Sequence, residues 1–282
     1  MKKILLPTDF SDNAWNAIFT AVKLYANVKC SFYLLHAYEP KAMNMLGRKN
    51  QQRLGVIYDS LAEHSKQELD KIIVYLKKNH HNPNHGFSGI SKSDSLDNAV
   101  MEVITKEGID LIVMGTQGAT GAKEIFMGSN TVKVLKHIKD YPVLAVPADY
   151  NFQRLQSVAF PTDFTRIYHK YELLPLLELT SLWKAKIQVL HVADEFIMNN
   201  IQKANRKILE EQLRAADHSY NEARFKANIA NSIENFVSHA ETDLIGLLRH
   251  HHTFWEKLID VPVIKKMAFR SKVPVLFLPE QP

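Results

Sequence analysis

Apolar positions along the chain follow two alternating patterns. Short, nearly unbroken runs, KILLP at 3–7, FYLLHA at 32–37, IDLIVMG at 109–115 and VLAVP at 143–147, fit strands buried on both faces. Between them apolar residues return every three or four positions. Leu61, Leu69, Ile72, Ile73 and Leu76 share one helical face in the first half, and Ile201, Ile208, Leu209 and Leu213 do so in the second. Strand-length runs alternating with helical periods predict βαβ units, hence an α/β fold with a parallel sheet covered by helices.

The pattern occurs twice. KILLPTDF at 3–10 returns as SVAFPTDF at 157–164, and SFYLLHAYEP as IQVLHVADEF. EGIDLIVMG then returns as AETDLIGLL, and YPVLAVP as VPVLFLP. Four landmarks in one order predict two homologous domains, 1–148 and 152–282, with a boundary near Tyr150. The second copy is shorter by about twenty residues between its second and third landmarks. The excess in the first copy includes KAMNMLGRKNQQRL at 41–54, which reads either as a flap over a ligand or as a plain surface excursion.

Each Pro-Thr-Asp-Phe corner is followed by a hydroxyl residue, Ser11 or Thr165, suited to cap the first helix of its repeat. In such folds ligands bind beyond the carboxyl ends of the strands, where strand order reverses. There the first repeat carries MGTQGATGAKEIFMGSN at 114–130, with Gly115 and Gly118, then nine residues, then Gly128-Ser129. Glycines at 115 and 118 are expected to take positive φ and admit a phosphate without a Cβ in its way. Gly128, Ser129, Asn130 and Thr131 open the helix VKVLKHI, and their N–H groups and hydroxyls are expected to face an anion at its positive end.

With Asp9 at the tip of the first strand, this spacing strongly resembles the universal stress protein family (UspA-like), in its tandem-domain form. The resemblance spans nearly the whole chain and implies two Rossmann-like domains, each a five-stranded parallel sheet of order 3-2-1-4-5 with flanking helices. It implies that residues 143–147 and 275–279, the last strands, lie antiparallel and adjacent. It also implies an adenine nucleotide in the first domain: ATP, ADP or a relative, with or without Mg2+. Pro7, Thr8 and Asp9 would meet the nucleoside, the Ala37 backbone the base, and Met114 would pack on the nucleoside. Gly115, Gly118, Gly128, Ser129, Asn130 and Thr131 would hold phosphates. Gln117 stands where the family often has histidine. In the second repeat the corresponding positions are Leu248, His251, Val261 and Pro262, so one nucleotide site per chain is expected, with the second domain as an internal packing partner. Non-nucleotide protein interaction through the same fold is the alternative.

No GxxxxGK[ST] loop is present, and Lys123 lies in no catalytic motif, so slow or no ATP turnover and no catalytic residues are expected. The histidines of RHHH at 249–252 and of NHHNPNH at 79–85 read as solvated loops rather than metal ligands, and His36 and His191, ending equivalent strands, as structural. The resemblance leaves room for homodimers and for protein clients of unknown identity.

Composition narrows the class further. With 46% hydrophobic and 23% charged residues, the chain is a globular one rather than a disordered one. The net charge of +5 is spread among acids, as in KQELDKIIVYLKK, so no nucleic-acid partner is expected. No run approaches the roughly 18 apolar residues of a membrane helix, the start lacks a signal-peptide core, and the single Cys30 fits a reducing cytoplasm.

Overall fold

The computed structural model describes residues 1–39, 51–117, 127–193, 196–224, 229–248 and 271–280, with side chains of the 51–79 helix from residue 59 onward. The fold is α/β, with a mostly parallel sheet and flanking helices. The chain divides into two units, and the main boundary falls between Ile138 and Lys139.

In the first unit the strands are β1 (Lys2–Pro7), β2 (Cys30–Ala37), β3 (His85–Lys92) and β4 (Leu111–Gly115). All pairs are parallel, in the order β3-β2-β1-β4. The β4 run LIVMG is buried throughout, as an unbroken apolar strand requires. The helices are α1 (Asp12–Leu24), α2 (Gln51–Asn79), α3 (Leu96–Glu107) and α4 (Ser129–His137). Leu69, Ile72 and Leu76 of α2 are buried, as the period predicts.

The second unit holds β5 (Val143–Val146) with β6 (Ser157–Thr162), β7 (Lys186–Ala193), β8 (His218–Arg224), β9 (Leu244–Leu248) and β10 (Val275–Leu278). Its strands β8-β7-β6-β9-β10 are the 3-2-1-4-5 order in parallel pairing. β5 pairs antiparallel with β10, Leu144 opposite Leu276, so it belongs to the first repeat by sequence and to the second unit by packing. Its helices are α5 (Lys170–Trp183), α6 (Asn200–Leu213) and α7 (Ile229–His239).

Equivalent residues of the two repeats do equivalent work. Asp110 accepts the Lys3 N–H at 2.7 Å, and Asp243 accepts those of Gln156 and Ser157 at 2.6 and 3.0 Å, so each aspartate pins the start of its repeat's first strand. At the corners, Asp9 accepts from the Ser11 N–H (3.1 Å) and hydroxyl (2.5 Å), and Asp163 from the Thr165 N–H (3.0 Å) and hydroxyl (2.8 Å). Phe10 and Phe164 take left-handed φ of 65° and 57°, a conformation costly for a bulky residue. Both are held by an N–H bond of 3.0 Å to the preceding threonine hydroxyl, of Thr8 or Thr162.

The structure departs from two expectations. Ser11 caps α1, its hydroxyl accepting from the Ala14 N–H at 3.3 Å, but Thr165 caps nothing. In the second repeat Tyr168 turns inward to bond the Thr162 hydroxyl and Arg166 pairs with Glu172, so α5 starts only after His169. The inner face of α6 is also displaced: Leu209 and Leu213 are buried, whereas Ile201 is 67% exposed. The inward positions near its start go instead to Asn205 and Gln202, whose amides donate to the carbonyls of Phe164 and Asp163, both at 2.9 Å.

Candidate functional site

β1 and β4 are adjacent, and the chain leaves their carboxyl ends in opposite directions along the sheet, opening a crevice between. A cleft of about 490 Å³ lies there, within the first unit. It is lined by Pro7, Thr8 and Asp9 after β1, Ala37 at the end of β2, and Met114, Gly115 and Gln117 at the end of β4. Gly128, Ser129, Asn130 and Thr131 line it at the start of α4. Gly118, Lys123, the 41–50 stretch, the 250–252 histidines, Val261 and Pro262 lie outside the described residues.

The glycines are needed for reasons other than those expected. Gly115 ends a strand, and among described glycines only Gly108 has positive φ. A Cβ on Gly115 would collide with the Asn13 side-chain amide, standing 2.7 Å from its Cγ. The oxygen of that amide accepts the Gln117 N–H at 2.7 Å. Gly115 is therefore required by the close approach of α1, and Asn13, buried in that helix, fixes how the chain leaves β4.

Gly128 is the N-cap of α4, at φ −66° and ψ 163°, and its own N–H donates to the Thr116 carbonyl at 2.6 Å. The Thr131 hydroxyl donates to the Gly115 carbonyl at 3.0 Å. Both groups staple the mouth of the loop, so neither faces an anion as expected. The first-turn N–H groups of Ser129, Asn130 and Thr131 remain, since a helix start gives them no intrahelical acceptor, together with the Ser129 hydroxyl.

Sequence reasoning missed Ala14, Glu39, Asp94, Leu96 and Lys133, which complete the lining. Their signal was weak: Asp94 sits beside a helix start, and Lys133 is one of several lysines on an amphipathic helix. No group of three or more His, Cys, Asp or Glu among the described residues could hold a metal ion.

His36 packs its ring on Phe10, centroids 4.3 Å apart, and bonds the Ser65 hydroxyl at 2.9 Å. His191 packs on Phe164 at 4.9 Å. Each imidazole supports its repeat's left-handed phenylalanine. Burial holds His36 below its ordinary pKa of 6.5 against the pull of Asp9, with His64 adding to the lowering. Burial likewise lowers His191, against Glu222 and Asp163 and with Arg206. The unfolded chain takes up protons as pH falls through about 6.5 while the folded one resists, so stability is lost below that value. Thermal melts are expected to show a falling Tm from about pH 7.5 to 5.5, with a shallower fall in His191→Gln. A flat profile in the parent would refute this. Two histidines of 79–85 differ from the solvated expectation, whereas His81 is exposed: His85 opens β3, bonds the Tyr25 carbonyl at 3.0 Å and packs on Phe32, and His80 packs on Phe19.

Comparison with known proteins bears on this crevice. The model of the universal stress protein family matches residues 1–147, more than half of the chain. The chain belongs to the universal stress protein family. This universal stress protein is 28% identical over 158 residues to universal stress protein MJ0577 of Methanocaldococcus jannaschii, covering 51% of this chain and 94% of that one. It is 29% identical over 149 residues to universal stress protein MJ0531 of the same organism, covering 51% and 81%. A universal stress protein of Archaeoglobus fulgidus DSM 4304 matches the fold over 99% of this chain and 98% of its own, with a TM-score of 0.69 at 16% identity. That likeness extends the fold assignment over both repeats of this universal stress protein.

Proposed function

We propose that the first repeat binds an adenine nucleotide, ATP or ADP, without turning it over, and that the second repeat is its packing partner. The observation that carries the reading is convergence. Residues at the positions the family uses for nucleotide, drawn from the ends of β1, β2 and β4 and the start of α4, line one cleft. The start of α4 suits phosphates, because its N–H groups and dipole favour negative charge. The β1 corner suits a nucleoside, with an aspartate to accept from ribose hydroxyls or a base amine. A magnesium ion, where one is bound, would be carried chiefly by the phosphates.

Pairing of β5 with β10 supports an internal pseudo-dimer of the two repeats. A role in the stress response, a cytoplasmic location, protein clients and further homodimerisation follow from the family reading. Among the described residues no helix is long and apolar enough to cross a membrane.

Titrating the freshly purified chain with ATP should give one nucleotide per chain, and a phosphate-release assay should show little or no turnover. Mass spectrometry of ligand retained after gentle denaturation would identify the native nucleotide. No binding of ATP or ADP would leave the protein-interaction reading; rapid phosphate release would make the protein an enzyme.

A further inference from the structure

The charges around the cleft are not mixed but sorted along the sheet. Asp9 follows β1, Glu39 follows β2 and Asp94 lies between β3 and α3, so three neighbouring strands each deliver one carboxylate to the lining. On the β4 side stand the α4 N–H groups and Lys133, the one ammonium among the described lining residues. Asp94 is fixed in place: its Oδ1 accepts from the Ser95 N–H at 2.6 Å and the Asn98 amide at 3.1 Å. Lys92, two residues before it, is bound to Glu102 at 2.5 Å and does not line the cleft.

We propose that Asp9, Glu39 and Asp94 make the nucleoside end of the cleft a charge filter, which accepts nucleotides with free 2′- and 3′-hydroxyls and rejects those phosphorylated at either position. The proposal rests on the nucleotide reading above and deepens it to ligand class. With the 5′-phosphates drawn to α4, the ribose and base lie toward β1, β2 and β3. Hydroxyls and an exocyclic amine are donors and suit carboxylates. A phosphate on the ribose brings up to two further negative charges against the same carboxylates. Asp9 is half-buried while Glu39 and Asp94 are exposed, so solvent and salt screen the repulsion without removing it. Discrimination of this kind comes from a repulsive element rather than from better contacts to the accepted ligand. Dinucleotides with a 2′-phosphate and carriers with a 3′-phosphate are thus turned away, while ATP, ADP and AMP share the accepted chemistry.

The test titrates the full chain by calorimetry with ADP and with ADP carrying an additional 2′- or 3′-phosphate. The parent is expected to prefer plain ADP by at least about thirtyfold, because two added negative charges meet three carboxylates and the small repulsions add even through solvent. The preference should shrink as salt rises from about 0.05 to 0.5 M, because the Debye length shortens toward contact distance. In the double variant Glu39→Gln, Asp94→Asn, which keeps an acceptor at the start of α3, the ratio of affinities should fall below about fivefold. ADP bound equally with its 2′- and 3′-phosphates would overturn the filter and spare the nucleotide reading. An undiminished ratio in the double variant would overturn it too, assigning the discrimination to shape. No binding of ADP at all would overturn both.

Discussion

Replacing Gly128 by valine and Ser129 by proline is expected to abolish nucleotide binding and leave the fold intact. The backbone permits both changes. Gly128 sits at φ −66° and ψ 163°, open to any residue and favoured for a residue that precedes proline. Valine keeps the N–H that donates to the Thr116 carbonyl. Ser129 is the first residue of α4, where a proline costs little because the N–H has no intrahelical partner. What disappears is one amide donor at the helix start, the serine hydroxyl, and the space a phosphate needs beside residue 128. Hydrogen bonds to charged groups are worth about 1.5–3 kcal/mol each, so affinity should fall by at least about a hundredfold. The second repeat already carries Val261 and Pro262 at the aligned positions, so the protein supplies the control. Calorimetry should detect no binding in the variant, while circular dichroism and a cooperative melt match the parent. Undiminished affinity in the folded variant would mean that 114–130 is a turn and not a phosphate cradle.

Asp9→Ala should weaken binding by about 1–3 kcal/mol, and Asp163→Ala should leave it unchanged. Each aspartate makes the same local bonds, accepting from the N–H and hydroxyl two residues on, so each alanine removes the same turn. Changes in stability should therefore match, and the difference in binding isolates the ligand contact. The second corner is closed by its own side chains. Thr162, counterpart of the cleft-lining Thr8, bonds the hydroxyl of Tyr168, which is 2% exposed, and buried Glu172 pairs with Arg166 close by. Titration of the parent should thus saturate at one nucleotide per chain. Equal losses from the two alanine variants, or two sites in the parent, would sink the assignment of function to the first repeat.

Much of the site was legible because its chemistry is local. Pro7-Thr8-Asp9 and Gly128-Ser129-Asn130-Thr131 are short runs whose residue types are demanded by a strand tip and a helix start, and both line the cleft. Lys133 and Asp94 were not legible, since an exposed lysine on a helix face and an acid beside a helix start look the same wherever they point. Glu39 is read only once the chain's direction beyond β2 is known.

By itself the sequence determined the repeat, the α/β class, the strand runs and most of the residues brought to the crevice, because periodicity and turn chemistry are properties of neighbouring residues. Only the tertiary structure decided what those residues do. Gly115 is a glycine because Asn13 comes close from another helix, not because its own backbone turns left-handed. Thr131 and the Gly128 N–H close a loop rather than face an anion, since the carbonyls of Gly115 and Thr116 lie within reach. Tyr168 shuts the second corner, and β5 pairs antiparallel with β10. These are consequences of packing between segments far apart in the chain, where shape and unpaired hydrogen-bonding groups decide, and no local pattern encodes them.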